Sequence, residues 1–175
     1  MTTQTLHFFP KSQGKIAKNK VVRLKYALFE LPQHLLEYRD DLYYLHGGYG
    51  GMPAKVETHL SGLEVGMKTD VELSPQEGFG EIDPSLIITG ATNNFPPEAD
   101  AVGARLEGEM DGRVIQFRVT ALKNGQLTVD GNHPYAGKHL KFTLEVMEIR
   151  TATTQELGLG YALKDPATTV HAVQH

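Results

Sequence analysis

The chain contains no cysteine and no tryptophan, and it has no apolar run long enough to cross a bilayer. The absence of cysteine excludes disulfide bonds, zinc-thiolate sites and a cysteine nucleophile. The short apolar stretch at residues 6–9 is too brief for the core of a signal peptide, and Pro10 ends it. These absences lead us to expect a cytoplasmic protein that has no membrane partner.

Strong positive charge is also absent. The 175 residues carry a formal net charge of −4, and 40% of them are hydrophobic. A general nucleic-acid binder is strongly basic, so we expect no nucleic-acid partner. The length suffices for one ordinary domain or two small ones with a buried core.

The common catalytic and cofactor-binding signatures are missing as well. The sequence has no P-loop, no G-x-S-x-G and no H-E-x-x-H, and the glycine-rich residues 46–51 do not fit G-x-G-x-x-G. Its eight histidines are scattered without a compact ligand spacing, so we expect no cofactor and no metal site. His46 and His133 lie in glycine-rich loops, which favours a hydrogen-bonding role for each.

Alternating apolar residues predict a mainly β protein of the α+β class. Residues 21–28, 69–73 and 139–149 each read as a half-buried strand. Proline interrupts residues 31–41, and several prolines fall within residues 82–102, so we expect both segments to be irregular.

Two short helices are predicted from their end signals. Pro53 suits the first turn of a helix over residues 53–61, and Gly62 suits the position just after its end. Thr153 and Glu156 match a capping box, which opens a second short helix.

Three strand candidates follow one another at residues 105–110, 113–122 and 126–129. Asp111-Gly112 separates the first two and Asn124-Gly125 the last two. Both dipeptides suit two-residue hairpin turns, which require positive φ angles. The segment is therefore predicted to form an antiparallel meander that is a compact unit of its own.

Four segments carry a resemblance to a known family. Residues 42–47 (LYYLHG) are similar to L-x-Y-L-H-G, residues 62–66 to G-x-x-V-G, and residues 77–80 (EGFG) to A-Y-G. Residues 130–142 (DGNHPYAGKHLKF) closely resemble V-D-G-N-H-x-L-A-G-x-x-L-x-F. Taken in order over about residues 20–158, these matches resemble the SlyD-type branch of the FKBP prolyl isomerases.

The resemblance implies an FKBP half-barrel of antiparallel strands around a short helix, with a small β-rich insert-in-flap domain. The implied divisions are an N-terminal extension at 1–19, an FKBP-type domain at 20–85 and 130–152, an insert at 86–129, and a helical turn with a loose tail at 153–175. The insert coincides with the predicted meander. Its candidate exposed apolar residues are Phe95, Ile115 and Phe117.

The family's activity implies that this chain is a peptidyl-prolyl cis-trans isomerase whose partners are unfolded or proline-containing polypeptides, with chaperone-type binding by the insert. Such an enzyme needs no nucleophile, because the barrier of about 20 kcal/mol arises from amide resonance. Aromatic and aliphatic walls together with hydrogen bonds to neighbouring peptide groups suffice.

The resemblance also implies ten substrate-contacting or catalytic positions, for each of which ordinary core packing is the alternative explanation. They are Tyr26, Leu36, Glu37, Leu42, Tyr44, Met52, Val56, Phe79, Leu140 and Phe142. Met52 aligns where a backbone N–H commonly contacts the substrate, and Val56 aligns with the pocket floor.

Three departures from the family pattern leave alternatives open. Glu37 stands for an aspartate, Phe79 stands for a tyrosine, and the loop over residues 51–57 has one residue inserted. An isomerase-impaired chaperone or peptide-binding module is therefore the first alternative. A metal-delivery protein is less favoured, because residues 157–161 (LGLGY) stand where the family's histidine-rich tail begins.

Overall fold

The computed structural model describes residues 3–8, 14–164 and 168–173. These residues divide into two compact units. The first unit runs up to Gly78 and resumes at His139, and the second spans Phe79–Lys138. The predicted insert at 86–129 falls within the second unit.

The described chain consists mainly of strands, with two short α-helices between them. They are β1 Thr3–Phe8, β2 Lys20–Glu30, β3 His34–Leu45, α1 Ala54–Leu60, β4 Lys68–Leu73, β5 Ile87–Ala91, β6 Arg105–Met110, β7 Arg113–Lys123, β8 Gln126–Asp130, β9 Leu140–Thr151, α2 Thr154–Leu159 and β10 Thr168–Val173. This composition confirms the predicted mainly β, α+β class.

The first unit is built on an antiparallel sheet with the strand order β3-β2-β9-β4. Strand β2 lies in the middle and buries one face, as its alternation predicts. Tyr26 pairs with Leu144 of β9, and Leu28 pairs with Phe142. All four of these side chains are buried, so the centre of the sheet supplies the core of this unit.

The prediction of an irregular segment over residues 31–41 is wrong, because His34–Leu45 forms the continuous strand β3. All of its first ten residues are exposed or half-buried, so the strand shows little of the apolar alternation from which a strand is predicted. Backbone pairing with β2 holds it instead, from Glu30 opposite His34 to Val21 opposite Leu45.

Helix α1 confirms the predicted short helix. Pro53 takes the N-cap position, and Val56 and Leu60 are both 0% exposed. Gly62 follows the helix with a φ angle of 83°, a conformation that glycine adopts without steric cost.

The N-terminal extension contributes to the core at Ile16, which sequence reasoning did not single out. Ile16 is 2% exposed. Its backbone N–H donates to Leu63 O at 2.9 Å, and its carbonyl accepts from Gly62 N at 2.8 Å. Backbone hydrogen bonds therefore tie the residues just before β2 to the end of α1.

The terminal segments also contain regular structure, so the expectation of a loose tail is wrong for residues 168–173. Strand β10 pairs with β1 in an antiparallel, two-stranded sheet. Alternation within these short, polar segments is weak, and strand pairing between the chain ends is a long-range contact that no local pattern encodes.

Helix α2 confirms the capping box. The Thr153 side chain accepts from Glu156 N, and the Glu156 side chain accepts from Thr153 N. Gly160 ends the helix with a φ angle of 76°. Glu156 also meets the guanidinium of Arg150, so the helix is joined to the end of β9.

The second unit is a four-stranded antiparallel sheet with the order β5-β8-β7-β6. The predicted meander is confirmed as β6, β7 and β8, and both of its hairpin dipeptides adopt positive φ angles. Strand β5 lies in the segment that we expected to be irregular, where pairing with β8 orders it.

The core of the second unit is small. It consists of Ala99, Phe117, Val119, Leu127 and Val129. The expectation that Phe117 is exposed is therefore wrong, because alternation along β7 turns Phe117 and Val119 inward. Phe95 and Ile115 pack partly buried against this core.

Candidate functional site

Tyr26, Glu37 and Phe142 come together on three adjacent strands of the first unit. The Tyr26 hydroxyl donates a hydrogen bond to Glu37 Oε1 at 2.6 Å. The rings of Tyr26 and Phe142 lie 5.8 Å apart, with an angle of 45° between their planes. One wall of this site is therefore aromatic, and a carboxylate stands at its edge.

Strand register explains this grouping. Leu28 of β2 pairs with Glu37 on one side and with Phe142 on the other. Tyr26 lies two residues before Leu28 on the same face of the strand, within diagonal reach of both neighbours. A register shift between Leu24 and Tyr26 in the pairing of β2 with β3 places Tyr26 opposite Arg39.

The Tyr26–Glu37 contact has the length of a strong, charge-assisted hydrogen bond. It fixes the orientation of the phenol ring and uses one acceptor site of the carboxylate. An ionised carboxylate can accept more than one hydrogen bond.

Leu140 and Val56 are predicted contacts that the structure buries completely, at 0% exposed each. Leu140 pairs with Leu73 across the sheet, and a Cβ atom at Gly78 would lie 3.7 Å from Leu140 Cδ1. These side chains form walls of the core. Leu36, Leu42 and Met52 are half-buried.

Tyr44 belongs to a separate hydrogen-bonded chain. Its hydroxyl lies 2.7 Å from His46 Nδ1, and His46 Nε2 lies 2.8 Å from Ser61 Oγ. Ser61 Oγ donates to Glu57 O at 3.2 Å. Because the single serine proton is used there, Nε2 of His46 carries a proton and Nδ1 accepts from Tyr44.

Burial shifts the pKa values of the Tyr44 and His46 side chains. It raises the pKa of Tyr44 well above its ordinary value, and the nearby Glu57 carboxylate adds to that effect. Burial lowers the pKa of His46, against an opposing contribution from Glu57. Both groups are therefore neutral at pH 7, and the predicted hydrogen-bonding role of His46 is confirmed.

Glu57 is a residue that sequence reasoning missed. Its carboxylate accepts from the backbone N–H groups of Gly47 and Gly48, at 3.2 and 3.1 Å. Glu57 thus ties the glycine-rich loop to helix α1, just before Met52. The only signal in the sequence is an acidic residue in the first turn of the predicted helix.

Phe79 lies in the second unit, in an aromatic cluster with His133 and Tyr135. Its ring stacks on His133 at 4.4 Å and 15°, and it meets Tyr135 edge-on at 5.4 Å and 74°. Tyr135 N donates to His133 Nδ1 at 3.0 Å, which confirms the predicted hydrogen-bonding role of His133. Burial lowers the pKa of His133.

The described residues offer neither a metal-ligand cluster nor a membrane-spanning helix. Within residues 14–164, where side chains are described, no group of three or more histidine, cysteine, aspartate or glutamate residues is arranged to hold a metal ion. No helix in the described part of the chain is long and apolar enough to span a membrane.

Known proteins that are similar to this chain define its class. No family model matches the chain. It is 36% identical over 151 residues to the FKBP-type peptidyl-prolyl cis-trans isomerase SlyD of Escherichia coli (strain K12), covering 84% of this chain and 76% of that protein. An antiparallel sheet with a short helix and a second β-rich unit accords with that class.

Similar relatives occur in distant bacteria. The SlyD protein of Yersinia pestis is 33% identical over 151 residues, covering 84% of this chain and 77% of that protein. The SlyD protein of Treponema pallidum (strain Nichols) is 32% identical over 146 residues, covering 82% and 83%. The chain belongs to the SlyD-type branch of the FKBP-type peptidyl-prolyl cis-trans isomerases.

Proposed function

We propose that this chain catalyses cis/trans isomerisation of Xaa-Pro bonds in unfolded or partly folded polypeptides. The observation that carries the proposal is the Tyr26 phenol, held by Glu37 at 2.6 Å beside the ring of Phe142. The SlyD relatives are named as peptidyl-prolyl cis-trans isomerases, which supports the same reaction.

The mechanism requires rotation about one C–N bond and no covalent step. Amide resonance sets the barrier at about 18–20 kcal/mol. An apolar aromatic wall solvates the planar, more polar amide poorly and thus favours the twisted form in relative terms. The Glu37 carboxylate accepts a peptide N–H next to the proline, which holds the flanking chain while the bond rotates.

The remaining predicted positions have supporting roles in this proposal. Leu140 and Val56 are walls and floor, because complete burial prevents them from offering more than apolar surface. Leu36, Leu42 and Met52 are half-buried and line the approach. Tyr44 positions the loop before Met52 through His46. Phe79 lies in the second unit, in its own aromatic cluster with His133 and Tyr135.

The second unit is proposed to bind unfolded chains as a chaperone. Exposed apolar side chains support this, including Val114 at 71% and Val102 at 64% exposed. Scattered exposed apolar residues are ordinary on a protein surface, so the chaperone role needs a functional test. Replacing residues 86–129 with a short linker should leave isomerase activity measurable and reduce the suppression of aggregation. Full retention of that suppression would contradict the chaperone role.

The proposed setting is the cytoplasm, and the proposed partners are polypeptides rather than nucleic acid or membrane. The net charge of −4 supports the exclusion of nucleic acid. Separation of soluble and membrane fractions from the source cells, followed by detection of the chain, checks the location.

A protease-coupled assay on a chromogenic Xaa-Pro peptide tests the isomerase. We expect a first-order acceleration proportional to enzyme concentration. No acceleration at high concentration of folded protein would contradict the proposal and would favour the binding module. In that case Phe79→Tyr together with Glu37→Asp should raise the activity sharply, because these two departures motivate that alternative.

A further inference from the structure

Lys55 and Glu77 join the start of helix α1 to the loop that follows strand β4, and both residues belong to the first unit. The Lys55 ammonium donates to both carboxylate oxygens of Glu77, at 3.1 Å each. The two side chains are 38% and 44% exposed, so the pair lies at the surface. It connects two segments whose paired residues are 22 positions apart in the chain.

The loop after β4 orients the Glu77 carboxylate for this pair. Glu77 Oε2 accepts from Ser74 N at 3.0 Å, and Glu77 N donates to Ser74 O at 3.1 Å. The hydrogen bond from Ser74 N and the one from Lys55 lower the pKa of Glu77, so its carboxylate is ionised at pH 7. A carboxylate that its own loop already orients loses less side-chain entropy on pairing with Lys55.

Both ends of the ion pair lie next to side chains of the proposed isomerase site. Lys55 directly precedes Val56, which is 0% exposed. Gly78 directly follows Glu77, and a Cβ atom at Gly78 would lie 3.7 Å from Leu140 Cδ1. The pair therefore connects the segment that carries Val56 to the segment that packs against Leu140.

The segment that contains Met52 is anchored on both sides. Before it, the Glu57 carboxylate accepts from the backbone N–H groups of Gly47 and Gly48. After it, Lys55 is bound to Glu77. This segment belongs to the loop over residues 51–57, which has one residue more than the family pattern. A longer loop has more conformations to choose from, so its position depends more on such anchors.

We propose that Lys55 and Glu77 are positioning residues for the isomerase reaction, and that their ion pair holds residues 52–56 where this segment meets the polypeptide substrate. The proposal rests on the proposed function, with Met52 and Val56 as substrate contacts. Without the pair, the segment occupies the binding position in a smaller fraction of the molecules, which weakens the apparent affinity for substrate. Because the pair is exposed, salt reduces its effect.

The test is a double-mutant cycle of Lys55→Gln, Glu77→Gln and the double variant, with Lys55→Arg as the conservative variant. The amide oxygen introduced by Glu77→Gln can still accept from Ser74 N, so this change removes only the charge. At about 0.01 M ionic strength each single variant should lower kcat/KM about 1.5- to 5-fold, mainly through a higher KM. The double variant should lose no more than either single variant, because both changes remove the same interaction. Lys55→Arg keeps the cation and should stay close to the wild type.

Ionic strength provides a readout that a merely structural role would not move. At about 1 M salt the Debye length is about 3 Å, so the difference in kcat/KM between the wild type and each single variant should shrink. Urea denaturation checks that every variant is folded under the assay conditions.

Asp70→Asn is the matched control. Asp70 forms an exposed pair with Lys141 at 3.2 Å, and it lies on the opposite face of β4 from the buried Val71. This variant removes one carboxylate from an ion pair, as Glu77→Gln does, and should keep the wild-type kcat/KM at both ionic strengths.

Three results would overturn the proposal. The first is a wild-type kcat/KM for the folded single variants at low ionic strength. The second is a loss in the double variant equal to the product of the two single losses. The third is a loss that is the same at both ionic strengths.

Peptide binding separates this proposal from the proposed function. A wild type without isomerase activity contradicts the proposed function, and calorimetric binding of a non-chromogenic peptide of the same sequence then tests the ion pair alone. A weaker Kd in both single variants at low ionic strength supports the positioning role. An unchanged Kd, or a wild type that does not bind the peptide, overturns it.

Discussion

The Arg150 guanidinium and the Glu156 carboxylate form a two-pronged ion pair, with N–O distances of 2.8 and 2.6 Å. The two side chains are 3% and 0% exposed. Glu156 also accepts from the N–H groups of Thr153 and Leu163, and Arg150 donates to Leu163 O. The pair therefore joins β9, helix α2 and the segment that follows it.

Glu156→Gln should destabilise the protein by about 3–5 kcal/mol, because it leaves the Arg150 charge buried without its counter-ion. Urea denaturation followed by circular dichroism measures the loss. Glu98→Gln is the control, since Glu98 is exposed in a loop of the second unit, and it should stay close to the wild type. A change below 1 kcal/mol for Glu156→Gln would contradict the structural role.

The same pair predicts a pH dependence of stability. Burial acts to raise the pKa of Glu156, but hydrogen bonds from Arg150, Thr153 and Leu163 outweigh it and lower the pKa from 4.5 to about 2. A carboxylate whose pKa is lower in the folded state stabilises that state fully at pH values above its unfolded pKa. This stabilisation is lost as the pH falls towards the folded-state pKa. The stability difference between wild type and Glu156→Gln should therefore be constant above pH 5 and shrink between about pH 4.5 and 2. A constant difference down to pH 2 would argue against the lowered pKa.

His46 predicts a second, separate pH window. Burial lowers its pKa below 6.5, so the unfolded chain binds more protons than the folded chain just below that pH. Its contribution to stability is complete above about pH 6.5 and is lost as the pH falls. His46→Ala should cost about 1–3 kcal/mol at pH 7.5, because it strands the Tyr44 hydroxyl.

The measurement for His46 is the free energy of unfolding at pH 7.5 and at pH 5.5. The wild type should lose more stability across this interval than His46→Ala. Equal losses in the two proteins would show that His46 does not change protonation on unfolding.

Tyr26→Phe should lower kcat/KM by about 10-fold, because it removes a hydrogen bond to a charged group worth about 1.5 kcal/mol and frees the Glu37 carboxylate to move. Tyr38→Phe is the matched control on the neighbouring strand, where the side chain is exposed. If kcat/KM of Tyr26→Phe equals that of Tyr38→Phe, the Tyr26 hydroxyl has no role in catalysis.

Phe117→Ala should unfold the second unit selectively. Phe117 is among the largest side chains of a five-residue core, and truncating a buried phenylalanine costs about 3–5 kcal/mol. Hydrogen exchange followed by mass spectrometry should show faster exchange in β6, β7 and β8 and unchanged exchange in β2 and β9. Uniform acceleration along the chain would show that the two units unfold together.

The local elements of this protein could be read from its sequence. Pro53 and Gly62 bound helix α1, and Asn124-Gly125 and Asp111-Gly112 form the hairpin turns. Each of these signals acts through the backbone of a few neighbouring residues, so no distant contact is needed to interpret it. Sequence patterns also indicated the family, which the comparisons confirmed.

Strand β3 and Ile16 show what local patterns could not predict. β3 carries few inward apolar residues, and pairing with β2 decides its conformation. Ile16 is buried by backbone contacts with Gly62 and Leu63, more than forty residues away in the chain. Both depend on long-range pairing, which the order of neighbouring residues does not specify.

For the site, the sequence by itself determined which side chains are aromatic, apolar or acidic, and its resemblance to the family implied the class of reaction. Only the tertiary structure decided that Tyr26 bonds Glu37, that Tyr44 bonds His46 instead, and that Tyr135 packs against Phe79. The physical reason is register: a shift of one residue in the pairing of two strands turns a side chain to the opposite face. Composition and motifs identify the side chains of the site. Strand pairing and loop geometry determine which of these side chains contact one another.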